Sequence, residues 1–486
     1  MPTSLNTEQT GGLFDRLKAA HRAYRSAYPG DAGSRQPVHT VYGGAHLFTA
    51  DAAPKIGRVA RRHLAAYAPR FVDLAQALCL PGHERLPASD EALIAVRARL
   101  EAGSALGGHG QDGVWLAPTV YQRVVDKLER EPVEDYRIDF EDGYGNRPDE
   151  EEDAEAVRTA EAVAEGMAEG TLPPYLGLRI KPFSDDLAAR AIRTLDLFVT
   201  TLAAQTGGRL PGGFVVTLPK VTSPAHVEAL VALFEMLEAQ NGLASGALQV
   251  EIMVETTQSI FDSAGRSALP ALVAAARGRC RGAHFGVYDY TAACDVTAAY
   301  QQMTHPVCDF ARHMMQVALT GTGLWLSDGA TNILPVGPHR AGGDGGALRA
   351  EQERENRAAV HRAWKHAYDD VRHSLRHGYY QGWDLHPAQL VPRYAAIYAF
   401  FLEGLDAAAL RLKTFVEQAA QATLVGDVMD DAATGQGLLN YFLRALNCGA
   451  VTLDEAQAAS GLTVDELRSR SFYRILDGRR KRRTAR

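Results

Sequence analysis

The chain has 486 residues, 46% apolar and 22% charged, a balance that supports a large globular core and excludes wholesale disorder. The formal charge of −7 would be more negative still without the basic run at 479–486, so the body is acidic and a poor non-specific binder of nucleic acid. Five cysteines form no CxxC pair, no apolar run is long enough to span a bilayer, and the start MPTSLNTEQTGG is neither basic nor apolar; a cytoplasmic protein with no nucleic-acid or membrane partner is expected.

Residues 1–110 read as an amino-terminal helical extension, Ala- and Arg-rich in PKIGRVARRHLAAYAPRFVDLAQAL and broken by PGDAGSRQP and LGGHGQDG. From Val114 short apolar runs take over, with helical sequence between them: VWLAP, DYRIDF, YLGLRI, GFVVTLP, LQVEIMV, AHFGV, GLWL and YQGWDL. That alternation predicts βα units on a parallel sheet. Eight units predict an α/β fold, a (β/α)8 TIM barrel over 111–395, with a long doubly wound sheet as the other arrangement that periodicity allows. Neither GxGxxG after a strand nor GxxxxGK occurs, so the phosphate-binding marks of that alternative are missing. AGGDGG at 341–346 reads as a flexible loop. Beyond 395 the text turns helical, predicting a carboxy-terminal helical domain over 396–478 and a solvated, disordered basic tail at 479–486.

In such a barrel the chemistry gathers where the strands end, because those ends converge on one open face. The second run ends in Asp139, Glu141 and Asp142, the third in Arg179 and Lys181, the fourth in Lys220, the fifth in Glu255, the sixth in Asp289 and the eighth in Asp384 and His386. Glu255 and Asp289 lie about one βα unit apart, which predicts equal height on adjacent strands. Two protein oxygens, completed by water and substrate oxygens, are a common way to hold Mg2+. Arg179 offers a planar fork suited to a carboxylate or a developing enolate oxygen. His361, His366, His373 and His377 fall on one predicted helix with irregular spacing and are read as solvent-facing.

The segments IDFEDG (138–143), LRIKP (178–182), LPKVTSP (218–224), VET (254–256), FGVYDYT (285–291) and GWDLHPAQ (382–389), in this order, resemble the citrate lyase beta subunit and HpcH/HpaI aldolase superfamily, together with the malate synthases that share its barrel. The resemblance covers roughly residues 113–395. It implies a carbon–carbon lyase or synthase that uses Mg2+, or Mn2+, on a small 2-oxo or hydroxy carboxylic acid through an enolate. Glu255 and Asp289 would hold the metal and Arg179 would stabilise the enolate. Asp139 and Asp142 would lie near the metal or its waters, and Asp142, Lys220 and His386 would face the substrate. Further on, Val428-Met429-Asp430-Asp431-Ala432-Ala433-Thr434 resembles the malate synthase segment that carries the catalytic aspartate, in a helical domain folded over the barrel mouth. This implies Asp431 as general base toward the methyl group of a coenzyme A thioester. Two alternatives stay open: a thioester-free aldolase in which a metal-bound water or a histidine such as His284 or His305 is the base, and a non-catalytic binding barrel. A homo-oligomer is expected.

Overall fold

The computed structural model describes residues 4–31, 33–87, 89–102, 114–340, 347–417, 423–425, 428–430 and 432–484. Eight parallel strands run in sequence order around one sheet: β1 (His39–Gly44), β2 (Asp135–Asp139), β3 (Tyr175–Arg179), β4 (Val215–Leu218), β5 (Val250–Val254), β6 (Cys280–Phe285), β7 (Trp325–Ser327) and β8 (Gly382–Asp384), with β8 paired back onto β1. The remaining seam, between β7 and β8, is closed by a parallel bridge from Ser327 to Gln381. Backbone hydrogen bonds flank it, from Asp328 N to Gln381 O (2.9 Å) and from Trp383 N to Gly329 O (3.0 Å). Helical segments separate every pair of consecutive strands, so the fold is the expected α/β TIM barrel.

The period of two along each strand divides the residues between two environments. Ile138, Leu178, Val216 and Ile252 are buried in the large hydrophobic cluster that also takes in helix residues such as Ala160, Leu195 and Phe234. The alternate residues Arg137, Asp139, Arg179, Thr217 and Glu251 contact one another across the sheet and fill the barrel with polar groups. Helix ends follow local chemistry. Pro224 and Pro306 occupy first turns, where a missing N–H costs nothing, and Gly170 and Gly207 close helices in the left-handed conformation.

Three expectations change. The first strand is not VWLAP: that stretch opens the helix Leu116–Arg130, with Pro118 in its first turn. The barrel instead begins at β1, inside the segment read as a helical extension, and the helices from Ala52 to Arg130 form the long crossover from β1 to β2. The basic tail is also ordered through residue 484, in the helix Phe472–Thr484. Arg479 donates to Glu466 (Nε···Oε1 2.8 Å, Nη2···Oε2 2.7 Å) and Arg482 adds a third bond at 2.7 Å, so basic residues pair with a buried carboxylate instead of dispersing into water. Finally, the helix Ala432–Asn447 docks its last turns on the amino-terminal end of the barrel. Gln36, which leads into β1, accepts from Arg444 and donates its backbone N–H to Asn447, and the Arg444 guanidinium lies 4.8 Å from the Tyr380 ring ahead of β8. That is the end opposite the mouth. Asp431 and the 341–346 loop lie outside the described residues. Among the described residues, no helix is long and apolar enough to cross a membrane.

Candidate functional site

Two sets of charges occupy the barrel interior. The inner set is closed. Arg137 of β2 reaches across to β5, donating to Glu251 (Nη2···Oε2 2.7 Å), to Thr217 (3.1 Å) and to Asp135. His284 of β6 meets the same Glu251 oxygen through Nε2 at 2.8 Å, and its Nδ1 meets the Tyr42 hydroxyl at 3.1 Å. All five residues other than Thr217 are at most 6% exposed, and Thr217 is fully buried. Burial works against the Glu251 charge, yet Arg137 and His284 outweigh it and hold this carboxyl well below the usual range. The set is complete in itself, with donors and acceptors matched.

The outer set lies where the strands end. Asp139, the last residue of β2, grips Arg179, the last residue of β3, through Nε (2.7 Å) and Nη2 (2.6 Å), while the carboxylate also accepts the backbone N–H of Glu141 (3.0 Å) and of Gly143 (2.8 Å). Four hydrogen bonds fix Asp139, and Asp139 in turn fixes the guanidinium. Burial opposes ionisation of Asp139, but Arg179 and the two amides keep it below the usual range. The Arg179 fork leans over the Tyr42 ring at 5.0 Å, and Tyr42 stacks on Trp383 at 4.4 Å. Its Nη1 reaches Glu141 at 2.9 Å and Asp142 at 3.9 Å.

Lys220, just past β4, sets its ammonium among Glu141, Asp142 (3.7 Å) and Asp289 (3.5 Å). Its backbone is left-handed (φ 50°), which turns its N–H onto Glu255 Oε1 at 2.6 Å. Glu255, at the end of β5, is 2% exposed and packs where only glycine fits opposite: a Cβ on Gly286 would stand 2.4 Å from its Oε2. Burial, followed by the negative charges of Asp289 and Glu141, pushes the Glu255 carboxyl up to about 8 despite Arg179 and Lys220. Asp289 sits in the first turn of the helix Val287–Ala293. Five carboxylates here face two cations, Arg179 and Lys220.

The structure thus brings together Asp139, Asp142, Arg179, Lys220, Glu255 and Asp289 from five strand ends. His386 caps the turn Pro387–Gln389, accepting from Ala388 N (3.1 Å), and its ring meets His63 edge-on at 5.8 Å. Burial, then the charge of His63, lowers its pKa; its contacts do not include the Arg179 cluster. His284 belongs to the inner set, and His305 caps the helix Pro306–Leu319 through Val307 N (3.2 Å). Both ring nitrogens of His284 are thus engaged, and in His305 Nδ1 is. Glu141 and Tyr42 were given no role by sequence reasoning. Glu141 stands inside IDFEDG, where its contacts with both Arg179 and Lys220 could have been suspected; Tyr42 was hidden with β1.

The donor set fits a hard divalent cation. The donors of Glu255 and Asp289 are carboxylate oxygens, with those of Glu141 and Asp142 nearby, and the repulsion from Asp289 and Glu141 that adds to burial in raising Glu255 is the kind a dication relieves. Among solved structures, a citrate lyase from Burkholderia xenovorans LB400 is similar over 73% of this chain and 94% of its own at 20% identity and a TM-score of 0.48. The Haloferax volcanii malate synthase is similar as its magnesium/glyoxylate complex (15% identity, 75% of this chain and 94% of that one, TM-score 0.39) and as its pyruvate/acetyl-CoA ternary complex (16%, 77% and 94%, TM-score 0.39). Likenesses this loose carry no argument about chemistry. No curated protein matches by sequence. Residues 17–475 match the model of the family described as domain of unknown function DUF6986, and the chain belongs to that family.

Proposed function

We propose that this barrel is a Mg2+-dependent carbon–carbon lyase or synthase for a small 2-oxo or hydroxy carboxylic acid, passing through an enolate. The observation that supports it most directly is the outer cluster: a buried, electrostatically crowded Glu255 beside Asp289, next to an arginine fork fixed by Asp139. Mg2+ held by Glu255 and Asp289 would supply a Lewis acid for the carbonyl oxygen of the acid. Arg179 contributes a fixed guanidinium with N–H groups beyond those bound by Asp139, placed to stabilise negative charge as it grows on an enolate oxygen. Asp139 acts through Arg179, as a positioning residue. Lys220 and the exposed Asp142 flank the entry, where the ammonium can exchange its carboxylate partners for a substrate carboxylate.

The base for an acyl-thioester partner is proposed to be Asp431, on the sequence resemblance alone. The helix Ala432–Asn447 that follows docks its last turns at the far end of the barrel, so Asp431→Asn tests this assignment directly. The deciding experiment incubates the protein with Mg2+ and glyoxylate or pyruvate, with and without acetyl-CoA, and follows product and solvent exchange by NMR in deuterated water. Condensation or cleavage that requires Mg2+ and is lost in Glu255→Gln supports the proposal. Binding of Mg2+ equal in Glu255→Gln and parent sinks the metal assignment. Exchange undiminished in Asp431→Asn would move the proton transfer to a group at the mouth.

A further inference from the structure

Away from the mouth, two neighbouring helices turn short-spaced polar residues toward each other. Pro306–Leu319 contributes Asp309 and His313, and Ala350–Arg376 with its C-cap contributes His373 and His377. Each pair is spaced i, i+4, so each shares one helix face. Asp309, His373 and His377 are half-buried, and one donor atom from each lies within 4.8 Å of the others; among the described residues no other three His, Cys, Asp or Glu side chains meet that condition. The rings of His373 and His377 are 4.2 Å apart, and His313 lies 5.7 Å from His377.

We propose that Asp309, His373 and His377, joined by His313, form a second metal site for a divalent ion of the Zn2+ class, which clips the two helices together. The orientations favour ligation. His377 Nδ1 is 2.9 Å from the carbonyl of His373, so donating that proton leaves Nε2 as a lone-pair donor, the usual posture of a metal-bound imidazole. Asp309 Oδ1 and His373 Nε2 are 2.8 Å apart, sharing a proton. In a tetrahedral site with bonds of 2.0–2.1 Å two ligand atoms stand about 3.3 Å apart, so replacing that proton by an ion needs an opening of about half an ångström.

Charge is permissive as well. Arg312 donates to Asp309 Oδ1 (2.8 Å) and lies 3.5 Å from His373 Nε2, but its other nitrogen is bound to Asp328 at 2.9 Å, so two carboxylates surround one guanidinium. His373 and His377 also sit at the carboxyl end of a 27-residue helix, where the dipole favours a cation. Three imidazoles and one carboxylate are a borderline-soft set, unlike the all-oxygen mouth, and select a different ion. The consequence is structural. These helices lead into β7 and β8, the two strands joined by the single Ser327–Gln381 bridge, so the ion would brace the seam where the barrel closes.

The test uses the full chain, freed of metal with a chelator and titrated with Zn2+ by calorimetry in saturating Mg2+, with Co2+ as a spectroscopic probe. One equivalent is expected, with a rise in Tm and the absorption of tetrahedral Co2+, all retained in Glu255→Gln. The double variant His373→Asn/His377→Gln should bind more weakly by over 100-fold, beyond the roughly 10–100-fold cost of losing a supporting partner alone. Its fold is checked by circular dichroism and by Mg2+ binding at the mouth. If it fails to fold, His313→Asn, which removes an exposed side chain, should still weaken binding and change the Co2+ spectrum. Parental Zn2+ affinity in a folded double variant, or no Zn2+ binding by the parent, would leave only an Asp309–His373 ion pair and overturn the proposal.

Discussion

Glu251 in β5 and Glu255 just past its end stand four residues apart, both buried, and their carboxyls are driven in opposite directions. Burial alone would raise both. At Glu251 an arginine and a histidine reverse that effect; at Glu255 two more carboxylates add to it. A barrel interior is ordinarily packed with branched aliphatic side chains, so both glutamates are departures. The inner one is answered inside the fold, which makes it part of the framework. The outer one keeps its raised pKa because Arg179 and Lys220 do not offset burial and two carboxylate neighbours, and this contrast supports the functional reading proposed for it.

The sharpest way to break the comparison is to delete each glutamate. Glu251→Ala leaves Arg137 buried with half its partners gone and should cost about 3–5 kcal/mol, the range for orphaning one member of a buried ion pair. Glu255→Gln should change stability at neutral pH by no more than about 1 kcal/mol, because the neutral amide resembles the protonated acid already present. Urea unfolding of the two variants decides it. Equal destabilisation would show that both residues are framework.

That division was only half legible in the sequence. Strand ends announced Asp139, Arg179, Lys220, Glu255 and Asp289 because a charge after an apolar run is easily seen. The inner set sat inside runs read as apolar: DYRIDF hides Arg137 and LQVEIMV hides Glu251, although their alternation was already pointing every second residue inward. Seven of the eight strands fall on the predicted runs. β1 escaped because its sequence, HTVYGG, is dictated by close approach as much as by burial: a Cβ at Gly44 would stand 2.1 Å from the carbonyl oxygen of Gly143, and Thr40 is spent on a 2.9 Å bond to Asp135. Only long-range partners explain such a strand, and one sequence does not display them. The docking of the carboxy-terminal helices by Arg444 and Asn447 escaped for the same reason.

A second prediction concerns Arg179. Lysine keeps the charge but cannot hold two oxygens of Asp139 in a planar fork, so Arg179→Lys should lower turnover by about 100-fold or more, roughly 2.7 kcal/mol, with little change in Mg2+ affinity. Steady-state kinetics beside calorimetry checks this. Near-parental turnover would reduce Arg179 to an ion-pair partner of Asp139.

Acidity gives a third, smaller effect. With its pKa raised to about 8, Glu255 carries a proton in the metal-free fold across the range where the unfolded chain has lost it. The folded state binds more protons there, so this residue's contribution to stability falls as pH rises from the ordinary carboxylate range through 8. Glu255→Gln should flatten that part of the profile. Mg2+ should flatten it too and, when added at pH 7, release close to one proton, seen as calorimetric heat that varies with the buffer. Proton release unchanged in Glu255→Gln would place the titrating group elsewhere.

The smallest effect tests how the fold delivers its one backbone donor to Glu255. Lys220 adopts a left-handed conformation (φ 50°), a strain of about 1–2 kcal/mol for a residue with a Cβ that glycine does not share. The return on that strain is an N–H held 2.6 Å from Oε1 of Glu255. Lys220→Ala and Lys220→Gly both remove the ammonium from among Glu141, Asp142 and Asp289, so their common loss measures the side chain. Their difference measures the backbone alone. The glycine variant should be the more stable by about 1 kcal/mol in urea unfolding, after allowing for its greater freedom in the unfolded chain. Both should move the Glu255 titration further up, since a cation beside it is gone. If alanine and glycine prove equally stable, the turn at 220 is not held against strain, and the contrast between the two glutamates rests on side chains only.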